Sequence, residues 1–208
     1  MKRKINNKLF SIWNMICINL NFKISTFKSK FSLRFQGCKV GNYFKSNGKC
    51  YFKAYKSNSI KIGNNVSLIA GHRANRVGLR NPVLLETLDD GIIKIGNHSG
   101  GSAVVISSRS NVSIGEHVNI GGNVQIFDHD FHPLNASLRR KNKPEDITSK
   151  PVVIEDDVFI GTNAIILKGV HIGARSIIGA GAVVSLKNIP PDSIVVGNPA
   201  KMIGSTNK

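Results

Sequence analysis

A chain of 208 residues with 41% hydrophobic but only 7% aromatic content and 20 glycines holds one domain plus a terminal element, with a narrow, regularly stacked aliphatic interior. Its formal charge of +17 lies entirely ahead of Glu86, the first acidic residue, which favours an anionic partner such as a membrane surface, an acidic glycan or nucleic acid. Cys17, Cys38 and Cys50 form no CxxC pair and no disulfide framework, which favours structural thiols in a reducing cytoplasm; no apolar run approaches the roughly 20 residues of a membrane span.

Residues 1–35 form a basic segment of their own. Ile5, Leu9, Ile12, Trp13, Ile16 and Leu20 fall at helical spacing, predicting a short amphipathic helix. It either lies on an anionic membrane or caps the open end of the main domain. Asn14 and Asn19 interrupt its apolar run and no cleavage motif follows, so it does not read as a signal peptide.

Residues 36–203 form the main domain. From Phe35 to Asn81 the pattern is faint and irregular, with IGNNVSL at residues 62–68 followed by the basic loop HRANRVGLRNP. From IKIGNHSG at residues 93–100 an aliphatic residue returns at every sixth position, through Ile114, Ile120 and Ile126. The step from Ile95 to Ile114 exceeds a multiple of six by one, so an insertion is expected near Ser107 to Ser110. After an excursion over residues 127–153 the period resumes at Ile154, Ile160, Ile166, Ile172, Ile178 and Val184. A fixed short period means a solenoid, in which each unit buries its apolar side on its neighbours. A long polar excursion inside a regular architecture points to function. KNIPPDSIVVGNPAKMI at residues 187–203 should end the solenoid and fold back on it.

The units IGTNAI, IGARSI and IGAGAV, the FHPL in the excursion and the closing NIPPDSIVVGNPAKMI resemble the hexapeptide-repeat acyltransferases, above all the galactoside, maltose and streptogramin acetyltransferase group. The resemblance covers residues 93–203 well and the first 60 poorly. It implies an all-β left-handed parallel β-helix of triangular section, assembled as a homotrimer, that uses acetyl-CoA and no metal.

Acetyl transfer from a thioester needs a base for the acceptor proton and donors for the oxyanion. By the resemblance His132, which precedes Pro133, matches the general base; His129, flanked by Asp128 and Asp130, is the second candidate, an adjacent carboxylate being able to fix its tautomer. His72, His98, His117 and His171 stand singly and are expected to be scattered surface or turn histidines. For the donor, the resemblance places Thr162 near the thioester and Ala180 along the pantetheine arm. Ser185 and Lys187 match a T-K-D-I-P region with one residue added, and Lys201 stands where the galactoside enzymes carry Arg. Phe159 replaces a family Trp. The expected activity is acetyl transfer to a sugar hydroxyl of a polysaccharide or lipid-linked glycan, at the inner face of a membrane if the basic segment binds one. Alternatives are an N-acetyltransferase acting on an amino sugar, an antibiotic O-acetyltransferase, a zinc-dependent γ-class carbonic anhydrase-like protein, since His129, His132 and their aspartates include zinc-ligand types, and a non-catalytic scaffold. Nucleic acid is a poor partner, because the basic residues come with no reading motif.

Overall fold

The structure is a computed structural model describing residues 2–141 and 143–207. It begins with one helix, α1 (Lys2–Phe35), and then coils. The first coil is β1 (Lys39–Val40), β2 (Lys45–Asn47) and β3 (Cys50–Lys53); the second is β4 (Ile60–Ile62), β5 (Ser67–Ile69) and β6 (Val83–Thr87). The third is β7 (Ile92–Ile95), β8 (Gly100–Ser102) and β9 (Val105–Ser108), and the fourth β10 (Asn111–Ile114), β11 (Asn119–Ile120) and β12 (Gln125–Phe127). After the excursion come β13 (Val152–Ile154), β14 (Phe159–Ile160) and β15 (Ile165–Ile166), then β16 (His171–Ile172), β17 (Ile177–Ile178) and β18 (Val183–Val184). β19 (Asn188–Ile189) and β20 (Ser193–Val196) complete the stack, and β21 (Lys201–Ser205) turns back antiparallel along β20, as expected of a closing segment.

Every third strand pairs in parallel, so three sheets of seven, eight and six strands form the faces of a left-handed parallel β-helix. Three columns of inward side chains, one per sheet, run through the interior, with a second inward set that includes Val66, Val112, Val118, Val152 and Val158 buried beside them. The first runs Val40, Ile62, Ile95, Ile114, Ile154, Ile172, Ile189. The second runs Ser46, Leu68, Gly101, Ile120, Ile160, Ile178, Val195. The third runs Phe52, Leu85, Ile106, Ile126, Ile166, Val184. Most of these side chains are fully buried. At the corner from the first to the second sheet the backbone is left-handed in coil after coil, at Asn65, His98, His117, Asp157, Arg175 and Asp192, with φ between 56° and 61°.

The registers refine the expected insertion. In the third coil the step from Ile95 to Gly101 is six, from Gly101 to Ile106 five, and from Ile106 to Ile114 eight. One residue is missing at the corner of Ala103 and two are added over Ser107–Ser110. The first coil, which the sequence left irregular, keeps steps of six at Val40, Ser46 and Phe52.

α1 is the N-terminal helix expected over residues 1–35. It is 34 residues long, and of the residues expected to share one apolar face Leu9, Trp13, Ile16 and Leu20 are exposed, not covered by the solenoid. Only its C-terminal part meets the first coil. Ser46 donates to Ser29 Oγ at 2.8 Å, Ser25 Oγ donates to the Gly48 carbonyl at 3.0 Å, and Thr26 Oγ1 accepts from Ser46 N at 2.9 Å. Beside this seam burial pushes the Cys50 thiol up to about 11, against the pull of the Ser25, Ser46 and Ser29 hydroxyls, so it is no nucleophile at neutral pH.

Ile160→Ala, which removes a wholly buried side chain from mid-column, is expected to cost about 2–5 kcal/mol. Ile165→Ala on the same coil, where the side chain is half-buried, is expected to cost clearly less. Denaturant unfolding of both variants measures the difference.

Candidate active site

The excursion leaves the corner that follows β12 and returns at β13. Its neck is a short antiparallel clamp: Asp130 N donates to the Thr148 carbonyl at 3.0 Å, Lys150 N donates to the Asp128 carbonyl at 2.7 Å, and His129 bridges Ser149. The tip carries His132 to Leu134, the six-residue helix α2 (Ala136–Lys141) and a 3-10 turn over Pro144–Asp146. Asn135 Oδ1 caps α2 by accepting from Ser137 N at 2.9 Å and Leu138 N at 3.2 Å. Arg139 Nη1 reaches back to donate to the carbonyls of Pro133 at 3.1 Å and Leu134 at 2.9 Å, which fixes the turn after His132.

The three residues of the neck have separate tasks. Asp128 is fully buried; its Oδ1 accepts from Arg109 N at 2.7 Å, and its Oδ2 from Ser110 N at 2.8 Å and Ser108 Oγ at 2.7 Å. Its carboxylate therefore satisfies the backbone donors that the enlarged Ser107–Ser110 corner exposes. His129, 5% exposed, has Nδ1 2.8 Å from the Asp130 carbonyl and Nε2 3.0 Å from Ser107 Oγ. A carbonyl can only accept, so Nδ1 carries the proton. The ring of Phe131 also stands edge-on to His129, with centroids 4.7 Å apart. Asp128 and His129, both named from the sequence as candidates for the chemistry, are thus committed to the solenoid wall. Asp130 binds Lys168 of a later coil and accepts from Thr148 Oγ1 at 2.7 Å. Burial alone would raise its carboxyl; the hydrogen bonds from Lys168 and Thr148, with the charges of Lys168 and His129, hold it below the ordinary range.

His132 differs from its neighbour. It is exposed, and among the described residues its ring makes no hydrogen bond. Of the two imidazoles in the excursion it alone is open to a substrate.

Thr162 and Ala180 come together. With Val77, Gly122, Phe159 and Gly161 they line an apolar groove of about 420 Å³ on the second sheet and its corner toward the third. The Thr162 hydroxyl donates to the Gly122 carbonyl at 2.7 Å. A Cβ on Gly122 would stand 2.8 Å from Val77 Cγ2 and 3.1 Å from Leu79 Cδ2, so these loop side chains pack directly on the bare glycine. Val77 comes from the basic loop over residues 71–82, a contributor that the sequence reading missed. That loop is pinned by Asn123, whose Oδ1 accepts from Arg80 N at 2.8 Å and whose Nδ2 donates to the Gly78 carbonyl at 3.1 Å. Asn75, which also lines the groove, donates to Ser102 Oγ at 2.8 Å.

The other donor candidates lie elsewhere. Ser185 and Lys187 are exposed between β18 and β19, on the same edge of the stack as the excursion. Lys201 is exposed on β21, two strands beyond β17 in the second sheet. Thr162 and Ala180 precede β15 and β18, whereas His132 follows β12 and Ser185 follows β18, so one face of the third sheet separates the two groups within a single chain. Two other expectations change. His98 and His117, read as scattered, stack with centroids 4.8 Å apart on successive corners, and His171 Nε2 lies 2.7 Å from Glu155 Oε1. Among the described residues no group of three or more His, Cys, Asp and Glu side chains is placed to hold a metal ion.

A family model for the hexapeptide repeat of succinyl-transferase matches residues 151–185. A Schizosaccharomyces pombe protein provisionally assigned as an acetyltransferase is 45% identical over 92 residues, covering 44% of this chain and 42% of its own. The 2,3,4,5-tetrahydropyridine-2,6-dicarboxylate N-acetyltransferase of Staphylococcus aureus is 49% identical over 59 residues, 28% of this chain and 24% of that one. The chain therefore spans less than half the length of these curated relatives. Among solved structures, a hexapeptide-repeat acetyltransferase from Vibrio cholerae in complex with acetyl-CoA matches with a TM-score of 0.57 and 28% identity, over 85% of this chain and 75% of that one. A maltose O-acetyltransferase from Clostridium difficile matches with a TM-score of 0.56 and 25% identity, over 97% and 87%. An N-acyltransferase from Bacillus cereus, solved with a dTDP-amino sugar and coenzyme A, shares the fold at a TM-score of 0.63 and 20% identity, over 85% and 88%.

Asp130→Asn tests the neck. Because the folded carboxyl sits below its unfolded value, its contribution is fully present above the unfolded value and is lost as pH falls through the folded one. The variant is expected to melt below the wild type at pH 7, and the gap to close as the solution is acidified past the ordinary carboxyl range; thermal melts across that range measure it.

Proposed function

The chain is a hexapeptide-repeat protein on the left-handed β-helix of the hexapeptide-repeat acetyltransferases, and from that premise we propose that it transfers the acetyl group of acetyl-CoA to a sugar hydroxyl, with His132 as general base. The observation that carries this reading is the contrast within the excursion: Asp128, His129 and Asp130 root it in the wall, and His132 projects from that root with a free imidazole on a turn held by Arg139. In the transfer His132 takes the proton of the acceptor hydroxyl as its oxygen attacks the thioester carbonyl. The carbon–sulfur bond then breaks, and the proton returns to the departing CoA thiolate.

The donor groove supports the same reading. Its lining is almost wholly apolar and its floor is kept low by glycine, as the pantetheine arm of a coenzyme A thioester requires. Lys201, lying further along the same sheet, offers a charge to the nucleotide phosphates. Because Thr162 and Ala180 lie across the third sheet from His132 and Lys187, the working unit in this reading is a homotrimer. The excursion of one copy then closes over the donor groove of the next. The sugar class follows the neighbours that act on maltose or bind a dTDP-amino sugar. An N-acetyltransferase of an amino sugar is the second reading, and the Staphylococcus relative favours it over the repeat region.

With acetyl-CoA and a panel of oligosaccharide and amino-sugar acceptors, thiol release is expected to show transfer to a hydroxyl. His132→Ala is expected to lower kcat by about 10²-fold or more with little change in the KM for acetyl-CoA, whereas His129→Ala should chiefly lower stability. The opposite ranking would move the base to His129. Mixing inactive His132→Ala with inactive Thr162→Trp is expected to restore part of the activity if the site is shared between copies. Independent monomers would give none.

A further inference from the structure

α1 is built the wrong way round for a helix that merely caps a solenoid. On an ideal helix Ser25, Thr26, Ser29, Leu33 and Gln36 share one side, the side that meets the first coil. Trp13, Ile16, Leu20, Ile24, Phe27, Phe31 and Phe35 fall within about 100° of arc on the opposite side. That side faces away from the protein: Trp13 is 63% exposed, Phe27 72%, Phe31 64% and Phe35 84%. The stripe extends about 33 Å along the helix.

The borders of the stripe are cationic. Lys28 lies along one edge and Lys23, Lys30 and Arg34 along the other, positions from which long side chains keep their charges level with headgroups while their stems cover apolar surface. The helix sequence contains no acidic residue. The exposed residues also repeat at eleven, as Leu9, Leu20 and Phe31, and as Trp13, Ile24 and Phe35. Eleven residues in three turns keep a stripe nearly straight on an undistorted helix, which suits a flat surface, whereas a left-handed coiled coil needs a seven-residue repeat. Copies of α1 packed on one another would also bring like charges together. No described helix is long and apolar enough to cross a bilayer; helices with an apolar stripe and a cationic border bind in the interface plane.

We propose that the outward face of α1 docks this protein on an anionic lipid surface, with the aromatic stripe in the headgroup–acyl boundary and Lys23, Lys28, Lys30 and Arg34 on the lipid phosphates. The first coil then rests near the membrane, and the excursion begins three coils further on, about 14 Å away along the stack at the usual strand spacing. On the acetyl-transfer reading this brings His132 within reach of a glycan carried on a lipid. That consequence rests on the proposed activity; the docking itself does not.

Flotation of the full chain with phosphatidylglycerol–phosphatidylcholine vesicles, and with pure phosphatidylcholine vesicles, tests the docking. The expected result is co-flotation with the anionic vesicles, at least tenfold weaker with the zwitterionic ones and weakened by added salt. The combined variant Phe27→Ser, Phe31→Ser, Phe35→Ser leaves the hydroxyl seam untouched and is expected to lose flotation at least tenfold while retaining its fold by circular dichroism. Lys23→Glu with Lys30→Glu is expected to lose the preference for anionic lipid. The proposal fails if the wild type stays with the unbound protein, or if the phenylalanine variant floats equally well. It also fails if the wild type ignores vesicles and the variant instead breaks an oligomer by light scattering, which would make the stripe a contact between copies. None of these readings uses acetyl transfer, so a failure of the enzymatic proposal would be seen separately.

Discussion

Everything in this protein depends on three inward columns staying in register from coil to coil. A coil is too thin to bury its own apolar side, so Ile62 is dry only because Ile95 stacks on it, and Ile95 because Ile114 does. The constraint is severe at the faces and lenient at the corners. Extra residues can be accommodated only by pushing them outward between strands, and each extrusion leaves backbone groups without a partner in the sheets. A single buried polar side chain answers each one. Asn123 holds the loop over residues 71–82 through Arg80 N and the Gly78 carbonyl, and Asp128 holds the enlarged corner at Arg109 and Ser110. The regular columns thus explain where the irregular, chemistry-bearing segments are and why polar residues are buried beside them.

The same constraint divides the candidate site. Corners on one edge of the third sheet carry the excursion, Ser185 and Lys187; corners on the other carry Thr162, Ala180 and the groove floor. Because the sheet between them cannot bend, residues that a single acyl donor would have to touch together are held apart within one chain. In the proposed homotrimer a second copy would complete the site across this wide, straight face.

The sequence carried the period, and with it the solenoid, the excursion and the antiparallel ending, because burial at fixed spacing writes itself directly into residue type. It hid what depends on neighbours in space. The first coil read as irregular since Ser46 occupies a position that later coils fill with Leu68, Ile120 or Ile160, and its inward serine makes sense only once Ser29 and Thr26 of α1 are beside it. Asp128 and His129 read as catalytic because they share a short stretch with His132. Chemically plausible residue types do not reveal which way each side chain points, and the two-residue enlargement of the Ser107–Ser110 corner, which gives both of them their work, counted in sequence as a net of one. The stacking of His98 on His117 was invisible for a similar reason, the two lying on consecutive corners. For α1 the helical spacing was legible, but the side taken by the solenoid was not, since two faces competed for it.

That competition bears on why the helix is arranged as it is. Hydroxyl-to-backbone and hydroxyl-to-hydroxyl bonds each contribute only about 0.5–1.5 kcal/mol net, whereas burying one large apolar side chain contributes about 1.5–3 kcal/mol. Had α1 served only to cover the end of the stack, rotating it by half a turn would have placed Phe27 and Phe31 over the first coil and gained the stronger stabilisation of apolar burial. Instead, apart from Leu33, which is wholly buried in the core, the first coil meets α1 through Ser46 and the Gly48 carbonyl, partners suited to hydroxyls, and the apolar stripe is held outward. Two surfaces matched for the weaker interaction leave the stronger one for something outside the chain, and the cations that border the stripe indicate what charge that something bears.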